Sequence, residues 1–188
     1  SSDLILPGGV VTKKAAAHIQ LDENGEFVRN PKEDLVKVAV VERHQGTGNV
    51  ACGFLKGYGI KEGAVALSVA HDSHNIIVVG VNDEEMEFAV NSLIAQEGGI
   101  VLVKEGKVIE QMPMPIAGLM SDQSGEWVDE KLTSIHEKAY TELGICGDVE
   151  PVMTLCFMSL AVIPEIKLTD MGLFDVTTFS FIPVEISR

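Results

Sequence analysis

The pattern that most constrains the fold lies between residues 76 and 112. IIVVGV, residues 76–81, is a β-branched apolar run typical of a buried strand. Asn82 then offers an N-cap, and Glu85 stands three residues further on. We expect the Glu85 side chain to reach back to a free backbone N–H at the start of a helix. A strand followed at once by a capped helix is therefore predicted.

The helix and the segment after it complete a compact unit. Five apolar residues recur at helical spacing, namely Met86, Ala89, Val90, Leu93 and Ile94. Gly98–Gly99 ends the pattern as a left-handed C-terminal cap would. IVLVKEGKVIEQM, residues 100–112, then reads as two strands joined by a Glu105–Gly106 turn. Residues 76–112 are thus predicted to be β-α-β-β.

The remaining patterns extend this unit into one fold. LVKVAVVER, residues 35–43, and VALSVA, residues 65–70, are further buried strands. A second helix presents one apolar face and ends at Gly144; the face consists of Val128, Leu132, Ile135, Ala139 and Leu143. We expect an α+β fold with a mixed β-sheet and two main helices.

The chain divides into two parts by composition. Residues 1–34 contain short apolar runs broken by Gly8–Gly9, Asn24–Gly25 and Asn30–Pro31, which predicts a small β segment. The segment is the end of a small β domain or a linker. The better-organised α+β domain covers residues 35–188.

Charge and cysteine usage exclude several classes of protein. A formal charge of -14 without a basic patch argues against nucleic-acid and membrane-surface partners. Cys52, Cys146 and Cys156 are odd in number and widely spaced, which indicates a reducing, cytoplasmic environment. Cys156 lies in CFMSLAVI, an apolar run too short to span a bilayer, and is expected to be a buried thiol.

Common catalytic motifs are missing. Gly57, Gly59 and Gly63 form GxGxxxG, whose third glycine is one residue late for a dinucleotide fingerprint, so backbone turns are expected there. The sequence has no GxxxxGK[ST] loop and no GxSxG elbow. Ser68 and Ser73 stand near a histidine and an aspartate, but neighbours in sequence rarely form a triad.

The chemistry-bearing residues concentrate in HDSHN, residues 71–75, between two predicted strands. On an extended backbone Asp72 and His74 would share a face, whereas on a helical turn His71 and His74 would align. Either geometry offers two good metal ligands, and a zinc or iron site needs at least a third. Outside the second helix only His18 and His44 could supply an imidazole.

A bland interpretation of HDSHN competes with the functional one. Asp72 would accept backbone N–H bonds, Asn75 would occupy a left-handed position, and the histidines would simply pack. Polar residues between two hydrophobic strands are also where sites commonly form. Both interpretations stay open on the residues alone.

Three blocks carry a resemblance to a known family. They are residues 37–83, which contain HQGTGNVACGFLKGYG and AHDSHN, residues 98–122, which contain EGKVIEQMPMPIAGLMSD, and residues 155–176, LCFMSLAVIPEIKLTDMGLFDV. In order and spacing they resemble the C-terminal portion of bacterial and archaeal adenine deaminases of the amidohydrolase superfamily. LILPGGVVTKK, residues 4–14, resembles the stretch that precedes this portion.

The resemblance implies an activity that this chain alone does not display. Such enzymes hydrolyse adenine to hypoxanthine and ammonia, in purine salvage and adenine catabolism, at a binuclear manganese or iron centre in a TIM barrel. A chain of 188 residues cannot hold a barrel of about 250 residues besides this domain. We therefore expect it to bind no metal alone, to be catalytically silent when isolated, and to partner a catalytic barrel and a second copy in a homo-oligomer.

The resemblance also gives HDSHN a specific hypothesis. The loop would face the barrel mouth, with His71, Asp72 or His74 contributing to the purine site and Ser73 and Asn75 as weaker substrate-binding candidates. Two alternatives remain. The chain could be a partner-binding or oligomerisation module acting through MPMPIAGLM and CFMSLAVI, or a purine-binding domain without chemistry of its own.

Overall fold

The computed structural model of the protein describes residues 2–5, 10–23, 25–30 and 32–185. The predicted turn at Gly8–Gly9 lies outside these residues, as do Asn24 and Pro31 of the other two predicted turns. Within the described residues, the predicted strands between positions 35 and 113 and both predicted helices are present. One strand that was not predicted, Val50–Lys56, lies among them.

Eleven strands in the described residues form two sheets. The strands of the principal sheet are β1 Ser2–Ile5, β2 Thr12–Ala15, β3 Leu35–Val41, β4 Val50–Lys56, β5 Ala64–Leu67, β6 Ile76–Gly80, β7 Gly99–Lys104 and β8 Lys107–Pro113. Their order is β2-β1-β4-β3-β6-β5-β7-β8, and the sheet is mixed because β1 pairs parallel with β4. The small sheet has the order β11-β10-β9 and consists of β9 Ile166–Thr169, β10 Gly172–Asp175 and β11 Ser180–Ile182.

Three helices within the part of the chain that the structure describes complete the fold, namely α1 Asp83–Ala95, α2 Gly125–Thr141 and the short α3 Pro151–Cys156. The expected α+β fold with a mixed sheet and two main helices is confirmed. Strands β1 and β2 precede residue 35 and extend the principal sheet. The division of the chain between residues 34 and 35 stays a prediction.

Both faces of the central strands are buried. Val36, Val38 and Val40 of β3 point to one face, in a core shared with α2, α3 and the small sheet. Ala39 points to the other face, in a core shared with α1. Side chains of a strand alternate between faces, so strands covered on both sides read as continuous apolar runs. This explains why β3, β5 and β6 were recognisable from sequence.

Helix α1 begins as predicted, but its glutamate has a different partner. Asn82 Oδ1 accepts a bond from Glu85 N at 2.8 Å. The Glu85 carboxylate accepts from Gly106 N at 3.0 Å, so the predicted bond back to the helix start is wrong. Gly106 lies in the tight turn between β7 and β8, and Glu85 therefore ties α1 to that turn.

The end of α1 also differs in detail from the prediction. Glu97, with φ 65°, holds the left-handed position expected of a glycine. Glu97 N donates to Ile94 O and Gly98 N donates to Leu93 O at 2.9 Å, the pair of bonds that closes many helices. Ile94 is 56% exposed and lies off the buried stripe, because the helix contacts the sheet through Met86, Ala89 and Leu93.

The outer edge of the principal sheet is covered by α2. Glu110 of β8 is buried and accepts bonds from Lys131 Nζ at 2.8 Å and from Ser134 Oγ at 2.5 Å. Lys138 Nζ donates to Ile109 O at 2.7 Å, which satisfies a carbonyl of the edge strand. An uncovered edge invites pairing with another chain, so these contacts protect β8.

Glu110 also makes stability depend on pH. Burial by itself raises the pKa of Glu110, but bonds from Lys131, Ser134, Gln111 N and Lys138 outweigh it and lower the pKa to about 2. A carboxyl with a depressed folded-state pKa stabilises the fold above its unfolded pKa, near 4.5. That stabilisation is lost as the pH falls from 4.5 towards 2.

Glu110→Gln should lower the free energy of unfolding at pH 7 by about 1–3 kcal/mol, because the lysines on α2 lose their charged acceptor. The difference from the wild type should shrink as the pH falls below 4.5, since the wild-type carboxyl then takes up a proton. Urea denaturation across pH measures both effects. Glu130→Gln on the exposed face of α2 is the matched control, and a Glu110 effect that stayed constant with pH would contradict this account.

Candidate functional site

The HDSHN loop lies at one end of the principal sheet. It connects β5 to β6, which pair antiparallel in the centre of that sheet. The connection from β3 to β4, the start of β7 and the segment after β8 lie at the same end, because Val41 pairs with Ile76 and Leu67 with Ile100. Three segments distant in sequence therefore meet around the loop.

The loop is a turn held by its backbone. His71 N donates to Cys156 O at 2.9 Å, and His74 N donates to Ala70 O at 2.6 Å. The left-handed residue is His74, with φ 52°, so its expected placement at Asn75 is wrong. Histidine is enriched in this conformation among residues other than glycine. Asn75 is buried instead, and its Oδ1 accepts a bond from Arg43 N at 3.2 Å.

The two imidazoles of the loop lie together, as expected for a helical turn. The ring centroids of His71 and His74 are 5.3 Å apart, at an interplanar angle of 66°. The His71 ring also contacts Phe157, with centroids 5.1 Å apart. Asp72 and Ser73, between the histidines, are exposed. The loop thus presents two imidazoles and two exposed polar side chains at one end of the sheet.

The residues that follow β3 hold the loop from the side. Arg43 Nε donates to His74 O at 2.5 Å, and Arg43 Nη2 donates to Ala117 O at 2.9 Å. His44 Nε2 is 2.7 Å from Ser73 O, to which it can donate. Sequence reasoning missed Arg43. The usable signal was its place directly after a buried strand, where charged residues reach the end of a sheet.

The connection between β3 and β4 is ordered by Glu42. Its carboxylate accepts bonds from the backbone N–H groups of His44, Gln45 and Thr47, at 2.5, 2.7 and 3.0 Å, and from the Thr47 hydroxyl. The Thr47 amide, with those of Gln45 and His44, lowers the pKa of Glu42 to about 2 against the effect of burial. Glu42 therefore stays ionised beside the site at neutral pH.

Ser68 joins the loop region to the segment after β8. It is buried, its Oγ donates to Gly118 O at 2.5 Å, and it accepts from Gly99 N at 2.8 Å. Glycine is required on both sides of this contact. A Cβ on Gly98 would lie 2.6 Å from Gly118 Cα, and one on Gly99 would lie 2.0 Å from Met112 O. Ser68 thus has a structural role, because its hydroxyl is bonded to the backbone of Gly99 and Gly118.

The pKa of the His74 imidazole is lowered, which favours its neutral form. Burial, followed by the nearby His71 and the charge of Arg43, lowers the pKa of His74, and the Asp72 carboxylate opposes them. His74 Nδ1 is buried and has no hydrogen-bond partner among the described residues. Buried polar atoms are nearly always satisfied, so this nitrogen calls for an explanation.

A pocket of about 460 Å³ opens between these segments. Its lining consists of Arg43, His44, Ser73, His74, Glu97, Pro115, Ala117, Gly118 and Leu119. Three of the predicted site residues therefore sit at or beside it, namely Ser73, His74 and the neighbouring His71. Asn75 is buried behind Arg43.

The other candidate residues lie elsewhere. His18 lines a different pocket with Cys52 and Phe54, so of the two remaining imidazoles only His44 joins the loop. His136 Nε2 contacts Glu150 Oε1 and thereby links α2 to the start of α3. Among the described residues, no group of three or more histidine, cysteine, aspartate or glutamate side chains could hold a metal ion.

Two further expectations concern the cysteine and the glycines. Cys156 is buried, and burial together with Glu150 raises the pKa of its thiol to about 12, so it is not a nucleophile. Gly59 and Gly63 form turns with φ 80° and 68°, as expected. A Cβ on Gly63 would lie 1.9 Å from Val103 O, which excludes any larger residue.

Within the described residues, no helix is both long and apolar enough to cross a membrane.

Comparison with known proteins places this arrangement in a family. A sequence model described as "Adenine deaminase C-terminal domain" matches residues 9–180. "Adenine deaminase 2" of Desulfotalea psychrophila is 71% identical over 96% of this chain, which spans 31% of that protein. The adenine deaminases of Ligilactobacillus salivarius and Halalkalibacterium halodurans are 49% and 47% identical over 97% of the chain. The chain spans about a third of the length of these curated relatives.

Ser68→Ala should lower the free energy of unfolding by about 1–3 kcal/mol, because Gly99 N and Gly118 O lose their common partner while they stay buried. Chemical denaturation measures the change. The control is Ser180→Ala, whose exposed hydroxyl is bonded to the Thr178 hydroxyl. This substitution should change the free energy of unfolding by less than about 0.5 kcal/mol. Equal effects of the two substitutions would show that Ser68 is not structurally important.

Proposed function

Because the chain belongs to the adenine deaminase C-terminal domain family, we propose that it is part of an enzyme that hydrolyses adenine to hypoxanthine and ammonia. The 71% identity over 96% of the chain to a protein named adenine deaminase supports this proposal. The conservative interpretation of its three free cysteines, a reducing cytoplasm, agrees with a role in purine salvage.

In this proposal the chain does not supply the metal centre. His71 and His74 are paired ring to ring, and the described residues contain no group of three or more potential ligands. The residues present therefore do not fit a binuclear manganese or iron site. Such a site would belong to a catalytic barrel, consistent with relatives about three times as long as this chain.

The HDSHN loop is proposed to form one wall of the purine site. The observation that carries this is that Ser73 and His74 line an open pocket, with the His71 ring centroid 5.3 Å from that of His74. Asp72 is exposed on the same loop, which Arg43 holds through the His74 carbonyl. Ser73 and Asn75 are the weaker substrate-binding candidates, and Asn75 is already bonded to Arg43 N.

The proposal is tested in the complete enzyme with His71→Ala and His74→Ala. Each should lower kcat/KM for adenine by about tenfold or more, roughly 1.4 kcal/mol of transition-state stabilisation, with bound metal unchanged. The matched control is His18→Ala, an exposed imidazole in another pocket, which should leave kcat/KM unaltered.

Unchanged deamination in both loop variants would sink the proposed role of the loop. A lower melting temperature or altered oligomer size, with kcat per folded enzyme maintained, would then favour the structural interpretation. Metal analysis alongside the kinetics distinguishes loss of the loop's contribution to the purine site from disturbance of the metal centre.

A second candidate function, assembly of a homo-oligomer, has a specific observation behind it. Phe179 and Phe181 are 77% and 51% exposed and both contact Phe174, with ring centroids 5.2 and 5.3 Å apart. Met171, on the turn between β9 and β10, is 72% exposed. Contiguous exposed apolar groups commonly mark interaction sites. The predicted segments MPMPIAGLM and CFMSLAVI contribute only individual exposed residues, such as Met120 and Val162.

Phe179→Ser combined with Phe181→Ser should shift the protein to a smaller species in light scattering coupled to gel filtration, because the aromatic cluster loses its apolar surface. Ile94→Ser, on a residue of α1 that is 56% exposed, is the control and should leave the mass unchanged. An unaltered mass in the double variant would exclude this cluster as the contact.

A further inference from the structure

We propose that Arg43 is a positioning residue: its guanidinium holds the HDSHN loop and the Pro115–Met120 segment together, so that they present one surface to the purine. This inference rests on the function proposed above. Arg43 lines the same pocket, but its Nε and Nη2 are bonded to backbone carbonyls, so we expect it to act through the loop that it holds.

The contacts of Arg43 reach both segments at once. Its Nε donates to His74 O at 2.5 Å, and its Nη2 donates to Ala117 O at 2.9 Å. Its backbone N also donates to Asn75 Oδ1 at 3.2 Å. The planar guanidinium presents donors in a fixed fork, which the single ammonium of lysine cannot reproduce. Arginine therefore fixes the separation of the two segments as well as their contact.

The opposite segment is shaped around the guanidinium. A Cβ on Gly118 would lie 2.7 Å from Arg43 Nη1 and 3.1 Å from its Cζ. Gly118 has φ 72° and Ala117 has φ 58°, so the backbone curves past the arginine with both carbonyls held. Gly118 O accepts from Ser68 while Ala117 O accepts from Arg43. A side chain at position 118 would displace the tip of Arg43.

A second arginine provides a matched control. Arg29 Nη1 and Nη2 donate to Lys61 O and Ile60 O, at 2.8 and 2.5 Å. Like Arg43, it is partly buried and donates to two backbone carbonyls distant in sequence, here 32 and 31 residues away. It lies at the opposite end of β5, which starts at Ala64, whereas the HDSHN loop follows Leu67.

The test compares Arg43→Lys with Arg29→Lys in the complete enzyme. Arg43→Lys should raise KM for adenine about fivefold or more with kcat within about twofold, because a displaced wall weakens binding of substrate and transition state alike. Arg29→Lys should leave KM unchanged. If KM rose equally in both variants, loss of any such pair of arginine–carbonyl bonds would disturb the enzyme. That result would overturn the inference.

Gly118→Ala provides a second route to the same displacement without changing Arg43. It should raise KM in the same direction, and the combined Arg43→Lys, Gly118→Ala variant should show less than the product of the two single effects, because both act on one contact. Independent, multiplicative effects would overturn the shared action of Arg43 and Gly118.

His74→Ala separates failure of this inference from failure of the proposed function. If His74→Ala lowers kcat/KM while Arg43→Lys and Gly118→Ala behave as wild type, the loop acts on the purine but Arg43 does not position it. If none of the three changes kcat/KM, the proposed function of the loop fails as well. If Arg43→Lys acts and His74→Ala does not, Arg43 works by some path other than this loop, and the inference is wrong.

Discussion

Burial of the central strands on both faces is the constraint on which the rest of the structure depends. The valines of β3 fill the core beneath α2, α3 and the small sheet, while Ala39 of the same strand faces α1. No polar group can be placed on such strands without a partner, because burying it costs free energy. Strands β5 and β6 accordingly contain only apolar residues and glycine, and the polar side chains beside them lie in the turns at their ends. The HDSHN loop occupies one of these ends.

Close approach of backbone segments makes that end a defined surface. Gly98, Gly99 and Gly118 leave room for the chain after β8 to pass against the start of β7. Ser68 then satisfies one donor and one acceptor that this approach would otherwise leave unpaired. The pocket beside the loop thus depends on glycine at positions 98, 99 and 118 and on the Ser68 hydroxyl.

Local sequence patterns predicted most helices and strands. The features that were not predicted depend on contacts between residues far apart in the sequence. Burial on both faces made β3, β5 and β6 legible as apolar runs, and the cap at Asn82 marked the start of α1. Strand β4 was missed because its Gly53 suggests a turn, whereas in the structure Gly53 packs against the small sheet. A Cβ there would meet Leu173 and Leu168 at 3.4 and 3.6 Å, which are ordinary van der Waals distances. The loop's position between two strands was predicted, and the pairing of His71 with His74 was one of two geometries that the sequence left open.

Arg43 could not be found in the same way, because its partners at His74 and Ala117 are 31 and 74 residues away. Glu85 illustrates the same limit: its local role at the helix start was plausible, but a turn 21 residues away offered its carboxylate a backbone N–H. A helix cap or a strand is encoded within a few residues, whereas a contact between loops exists only once the sheet has brought their ends together.

The way in which the HDSHN loop is held bears on whether it is a structural turn or a functional site. Apart from Asn75 Oδ1, which accepts from Arg43 N, its fixed contacts use main-chain atoms: His71 N, His74 N, Ser73 O and His74 O. The imidazoles of His71 and His74 contact each other and Phe157 through their rings, which any flat apolar side chain could do. A loop whose shape depends on its backbone does not require histidine at these positions. The polar-turn interpretation therefore explains the conformation of the loop, while the identity of its side chains needs a separate cause, for which we propose chemistry at the open pocket.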